Sequence, residues 1–239
     1  MIYFEKKNKY NNVILDIGKK IYMTKEEIIQ NKQVKSKKRV ADHGEVFTSE
    51  REVNAMLDLV KQETERIDSR FLEPACGTGN FLVEILRRKL AIVENRYKKS
   101  QLEYERYAII AISSIYGIDL LDDNIEECRH RIFEIFNKQY ISFYKSSCKK
   151  ECVNSVKYIL EKNIIKGDAL SLKTQQNGNE SIVFSEWSAV NGSMIKRRDF
   201  MLEPQQQMSL FNDDNKPYSI PEPVREFPLT HFLKLANNE

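Results

Sequence analysis

Phe71-Leu72-Glu73-Pro74-Ala75-Cys76-Gly77-Thr78-Gly79-Asn80-Phe81-Leu82 is the stretch on which the reading of this chain turns. Arg70–Glu73 predicts a short strand that Pro74 ends. Gly77 and Gly79 let the backbone turn sharply and come close to a ligand. Phe81, Leu82, Ile85 and Leu86 then recur at helical spacing, so a helix follows the turn. Its first turn offers unpaired N–H groups and the positive end of the dipole, which suits an anion such as an amino-acid carboxylate. A dinucleotide fingerprint would need a third glycine where Leu82 stands, which weakens that reading. Glu73, at the strand end, is placed to accept a hydrogen bond from an ammonium group.

Outward from the turn, helix and strand alternate. Ser49 with Glu52 forms a capping box opening a helix that carries Val53, Met56, Leu57 and Val60. After the turn come helical stretches at Leu102–Ser113, Asp122–Lys138 and Cys152–Glu161, with strands at Ile115–Asp119 and Asn163–Gly167. This order predicts an α/β fold with a parallel sheet and helices on both faces, and ligands at the carboxyl ends of its strands. Asp119 ends the second strand, where a carboxylate can hold ribose hydroxyls. Asp168 ends the third, where one can accept a proton from an adenine amino group. Taken singly, Glu73, Asp119 and Asp168 are equally well read as helix N-cap residues. In register behind one glycine turn, they suit a ligand made of an amino acid joined to adenosine.

Those residues resemble the adenine-N6 DNA methyltransferases of restriction–modification systems, type I modification subunits in particular. Glu73-Pro-Ala-Cys-Gly-Thr-Gly-Asn-Phe-Leu82 is similar to their cofactor motif almost residue for residue. Gly44-Glu-Val-Phe-Thr48 resembles the motif ahead of their first helix, with Ser49 where the family usually has proline. Gly117-Ile-Asp119 resembles the ribose-binding motif and Gly167-Asp-Ala-Leu170 the adenine-binding one. The resemblance covers residues 41–172 and implies a Rossmann-like S-adenosylmethionine-dependent methyltransferase core. It implies cofactor contacts from Phe47, Thr48, Glu73, Ala75, Cys76, Gly77, Gly79, Asn80, Asp119, Leu120, Asp168 and Ala169. The gap between the turn and Asp119 is longer than usual and suggests an inserted helix near Glu94–Ser113.

One part of that family's equipment is missing. Its members hold the flipped adenine with (Asn/Asp/Ser)-Pro-Pro-aromatic, and flipping makes a stacking partner necessary. The six prolines stand at 74, 204, 217, 221, 223 and 228, and no two are adjacent. No catalytic residue is named here. A second polypeptide carrying the base pocket and target recognition is the favoured explanation, beside truncation of a larger enzyme. A non-catalytic cofactor-binding subunit is the alternative.

The flanks carry less. Residues 1–40 form a basic lead-in with a helix expected near Lys25–Gln33. Lys32, Lys35, Lys37, Lys38 and Arg39 are candidates for DNA phosphates, or else a solvated linker. Asn191-Gly192 between two β-rich runs signals a C-terminal hairpin within 173–203. Its second strand offers Lys196, Arg197 and Arg198 to DNA or to solvent, and the ribbon must pack on this core or on another chain. Residues 204–239 are expected to form a flexible tail. Within them Gln207-Met208-Ser209-Leu210-Phe211 resembles the peptides by which bacterial proteins dock on the polymerase sliding clamp.

Composition excludes little. Hydrophobic residues are 41%, charged residues 31% and the net charge +3, as in an ordinary soluble domain, and the charge alone proves no nucleic-acid partner. No apolar run approaches a membrane span and no secretory leader is expected. Cys76, Cys128, Cys148 and Cys152 contain no C-x-x-C pair and the histidines are scattered, so no metal site and a reducing, cytoplasmic compartment are expected. Cys76 is read as packing rather than as a nucleophile. A peptide spanning Glu203–Asp213 is expected to bind purified sliding clamp if residues 207–211 are a docking motif. No binding at high micromolar concentration leaves Leu210 and Phe211 as tail anchors only.

Overall fold

Residues 13–16, 19–22, 33–174, 180–202 and 222–237 are described by the computed structural model. They belong to two compact units, Met1–Glu52 and Val53–Glu239. Most of the expected Lys25–Gln33 helix, Lys32, and the Gln207–Phe211 motif lie outside the described residues.

In the first unit, β1 (Val13–Asp16) and β2 (Lys19–Tyr22) pair antiparallel. Helix α1 (Lys37–His43) starts where the Ser36 hydroxyl accepts the Arg39 N–H at 3.1 Å, and ends at Gly44 with φ 64°. Helix α2 (Glu50–Asp58) opens on the expected capping box: Ser49 Oγ accepts the Glu52 N–H at 3.4 Å, and Glu52 Oε2 accepts the Ser49 N–H at 3.1 Å. On the part of α2 in the second unit, Val53 and Leu57 are buried and Met56 is exposed.

The second unit continues with α3 (Lys61–Thr64), β3 (Phe71–Glu73), α4 (Asn80–Tyr97), α5 (Gln101–Ser113) and β4 (Ile115–Asp119). Then come α6 (Asp122–Tyr144), α7 (Lys150–Asn163) and β5 (Ile164–Lys166). The three strands form one parallel sheet in the order β3-β4-β5, with Glu73 opposite Gly117 and Asp119 opposite Lys166. Helix α6 runs six residues past the expected Lys138, because Tyr140 is fully buried and joins a ring cluster with Tyr104, Phe143 and Tyr144.

The two sheet faces are covered differently. Leu82, Leu86 and Leu90 of α4, Ile109 and Ile112 of α5, Ile132 and Phe136 of α6, and Val156 and Ile159 of α7 build one core with Ile115 and Ile164. On the other face Tyr116 and Ile118 meet Ile182 and Phe184 instead of a helix. The expectation of helices on both faces therefore fails among the described residues. A hairpin of β6 (Val183–Ala189) and β7 (Met194–Met201) replaces the second helical layer. An apolar antiparallel ribbon can cover a short sheet as well as a helix can, and helical periodicity ends before it begins. The Tyr116 hydroxyl donates to Ser185 O at 3.0 Å, and Trp187 Nε1 donates to Asn163 Oδ1 at 2.9 Å. The buried Asn163 amide in turn donates to Ser113 O and Ile115 O, each at 3.1 Å. The ribbon thus packs on its own core.

The last described stretch departs from the expected tail. Between residues 222 and 237, β8 (Arg225–Glu226) and β9 (Thr230–His231) both pair with β7, and a 3-10 turn follows at Phe232–Asn237. Phe232 and Leu235 of that turn are buried in the main core. Polar residues dominate this region's composition, yet three apolar anchors, Phe227 included, are enough to hold it. No described helix is long and apolar enough to cross a membrane, and all four cysteines are free thiols.

One buried cation ties the core together. Lys89 is fully inaccessible, and its ammonium donates to Ile67 O at 3.2 Å, to Ser69 O and to Ser114 Oγ. Burial pushes Lys89 down to about 7, with the Asp68 carboxylate opposing. Its folded value therefore lies below its unfolded one, so the unfolded chain binds the extra proton between the two and stability rises with pH there. Thermal unfolding should show the native chain gaining on Lys89→Met as pH rises from 7 toward 10. A constant difference across that range would contradict the assignment.

Candidate active site at the carboxyl edge of the parallel sheet

Glycines shape the turn between β3 and α4. Gly77 and Gly79 have φ of 51° and 85°, in the left-handed region that side chains disfavour. Gly79 is doubly constrained, since a Cβ there would stand 2.6 Å from Cys128 Sγ on α6. Cys76 N donates to Ile118 O at 2.8 Å, which seats the turn on the end of β4. The Cys76 thiol is buried, and a hydrogen bond with Cys128 together with that burial holds it above its usual range.

The three carboxylates sit where the strand ends put them, and each caps its own loop. Glu73 Oε1 accepts the Ala75 N–H at 3.3 Å, Asp119 Oδ1 the Leu121 N–H at 2.9 Å, and Asp168 Oδ1 the Leu170 N–H at 2.9 Å. Asp168 also accepts from Ser171 Oγ at 2.8 Å, and these two bonds, the backbone one first, lower its pKa. The helix N-cap reading fails for all three, since α4 is capped by Gly79, α6 by Leu121, and no helix directly follows Asp168 among the described residues. Asp119 alone also reaches back along the chain: its Oδ2 accepts the Gly77 N–H at 2.9 Å, and its Oδ1 accepts from Asn124 at 3.1 Å. Three of roughly four acceptor positions are filled, which leaves about one for a ligand.

Apolar side chains lie beside these carboxylates. Leu120 is 41% exposed and Leu170 is 96% exposed, each next to or two beyond a strand-end aspartate. Ala169 is half-buried. Leu170 was absent from the sequence-based set, although it adjoins Asp168-Ala169. Asn80, the first residue of α4, offers its side-chain oxygen to Arg131 Nη1 at 2.8 Å. Neither Arg131 nor Asn124 was expected, because both reach the site only through the approach of α6.

The remaining candidates sort by unit. Phe47 and Thr48 belong to the first unit, where the Phe47 N–H donates to Gln33 O at 2.7 Å and Lys35 lies 5.9 Å from the Phe47 ring centre. Lys35, Lys37 and Lys38 are exposed, while Arg39 is ion-paired to Glu45 at 2.6 Å. In the hairpin, Arg197 does not face outward as expected. It is buried, paired with Asp199 at 2.8 Å, and stacked on the Trp187, Tyr158 and Phe227 rings. Strand alternation explains this, since Lys196 and Arg198 occupy the opposite face. Those two pair with Glu226 at 2.9 Å and Glu186 at 3.2 Å. Among the described residues no cluster of His, Cys, Asp and Glu is placed to hold a metal.

Gly79→Ala is expected to cost about 1–3 kcal/mol for its strained φ, read as a lower denaturation midpoint. Cys128→Ala in the same chain should recover part of that loss. An unchanged midpoint in the single variant would show that the turn is not constrained as described.

Searches of curated proteins and of solved structures find no match. The family model of the MmeI DNA-methyltransferase domain matches residues 28–183, nearly two thirds of the chain, and spans the glycine turn and all three strand ends. The chain therefore belongs to the MmeI DNA-methyltransferase family and is a DNA methyltransferase of restriction–modification type, acting on DNA with a methyl donor.

Proposed function

We propose that the methyl donor is S-adenosylmethionine, held at the carboxyl edge of β3, β4 and β5, and that the acceptor is the N6 amine of an adenine in DNA. The observation that carries this reading is the bond that the Gly77 N–H donates to Asp119, which links the ends of two adjacent strands. The residues present fit such a donor. The turn and the start of α4 suit its carboxylate and Glu73 its ammonium. Asp119 takes a ribose hydroxyl, Asp168 the adenine amino group, and Leu120 and Leu170 flank the ring.

Such a donor, when bound, would supply a methyl group already activated on a sulfonium for transfer to the amine nitrogen. The protein's share is positioning and exclusion of water. No residue among the 239 supplies the polar-Pro-Pro-aromatic pocket for the base. We assign that pocket to a second polypeptide. Strand β3 pairs only with β4 among the described residues, so its other edge lies open. A strand added there in parallel would end beside Glu73 and deliver the base to the donor. Lys35, Lys37, Lys38, Lys196 and Arg198 remain the candidates for DNA phosphate.

Calorimetry with S-adenosylhomocysteine is expected to show binding to the native chain and a loss of about tenfold or more for Asp119→Ala. No binding by well-folded protein would remove the cofactor assignment. Methyl transfer to DNA should require the second polypeptide. Transfer by neither the chain alone nor the pair would favour a non-catalytic cofactor-binding subunit.

A further inference from the structure

Arg131 sits near the middle of α6, eleven residues beyond Leu120, the nearest residue that the sequence marks as functional. Its Nη1 donates to three oxygens of the glycine turn: Thr78 O at 2.7 Å, Thr78 Oγ1 at 3.0 Å and Asn80 Oδ1 at 2.8 Å. Thr78 is buried and Arg131 is half-buried, so these bonds form where water competes poorly. Charge-assisted bonds to neutral acceptors are among the stronger ones available to a loop.

The turn is held from both sides by one continuous segment. Asp119, at its start, accepts the Gly77 N–H at 2.9 Å. Arg131, twelve residues on, donates to Thr78 O, the carbonyl of the following residue. A carboxylate on the 76–77 peptide and a guanidinium on the 78–79 peptide fix the tilt of the Gly77–Thr78 peptide between them. The Asn80 contact does more. With its oxygen held by Arg131, the Asn80 amide is fixed in one flip, with its NH2 group turned away from the guanidinium. That is the polarity a carboxylate at the start of α4 requires.

We infer that Arg131 is a positioning residue for the amino-acid end of the cofactor, setting the turn and the Asn80 amide in the orientation that receives a carboxylate. The inference rests on the cofactor reading above. It predicts selective damage, because the nucleoside end is held by Asp119, Asp168 and their neighbours instead.

The test compares native protein with Arg131→Met and Arg131→Lys by calorimetry against S-adenosylhomocysteine and against methylthioadenosine, which lacks the amino-acid end. Melting temperatures of the ligand-free proteins are measured alongside. Arg131→Met is expected to lose about tenfold or more of its S-adenosylhomocysteine affinity, as orienting partners of binding groups do, while methylthioadenosine binds as to native protein. Arg131→Lys, which keeps a charge without the planar fork, should fall between the two. Equal affinity of Arg131→Met and native protein for S-adenosylhomocysteine overturns the role. So does an equal loss for both ligands in step with a lower melting temperature, which is what a purely structural arginine would give. Failure of the native protein to bind either ligand removes the cofactor reading itself, and this inference with it.

Discussion

Asp119 is the side chain on which the arrangement depends. It ends β4, accepts from the Leu121 N–H and the Asn124 amide at the entry to α6, and accepts the Gly77 N–H from a turn 42 residues earlier in the chain. A carboxylate can satisfy three donors at once because it has about four acceptor positions. No neutral side chain of that size could. The bond forces the turn after β3 against the end of β4, and the close approach of Cys128 to Gly79 closes it from the α6 side. Glycine at 79 and carboxylate at 119 are thus one requirement seen from two strands.

The scaffold behind this edge is small, since β3 and β5 have three residues each and β4 five. Short parallel strands must be covered on both faces to persist. Four helices cover one face and the hairpin the other, and buried polar groups set their registry. Asn163 joins α7 to α5, β4 and Trp187 of the hairpin. Lys89 joins α4 to the loop before β3 and to the end of α5. Arg197 does the same between the hairpin and α7 through Asp199, Ser185 and Tyr158. Each group is costly to bury and costlier to orphan, so each specifies one packing and not merely a collapsed one.

Much of this was legible in the sequence, for reasons that can be named. Glycines flanked by a strand and a helix leave a short-range signature, and so does the Ser49–Glu52 box. Strand ends at Glu73 and Asp119 follow from apolar runs broken by charge, while β5 stops at Lys166, short of the expected Gly167. What was not legible depends on distant approach. Arg197 looked like a surface charge because its partners, Asp199 apart, come from β6, α7 and the residues after β8. The hairpin's role as a covering layer, and the docking of Phe232 and Leu235, are set by shape and not by any local pattern. Arg131 carries no motif at all; only the geometry of α6 against the turn reveals it. Family membership confirms the chemistry in outline, while the residue roles rest on geometry.

Amide hydrogen exchange with and without S-adenosylhomocysteine tests the central claim most directly, because it reads all three strand ends in one experiment. Protection is expected to rise together at residues 75–80, 119–121 and 168–170, with little change in the hairpin. Ligand binding that protects only one of these segments, or residues elsewhere, would contradict a single site built across the sheet edge.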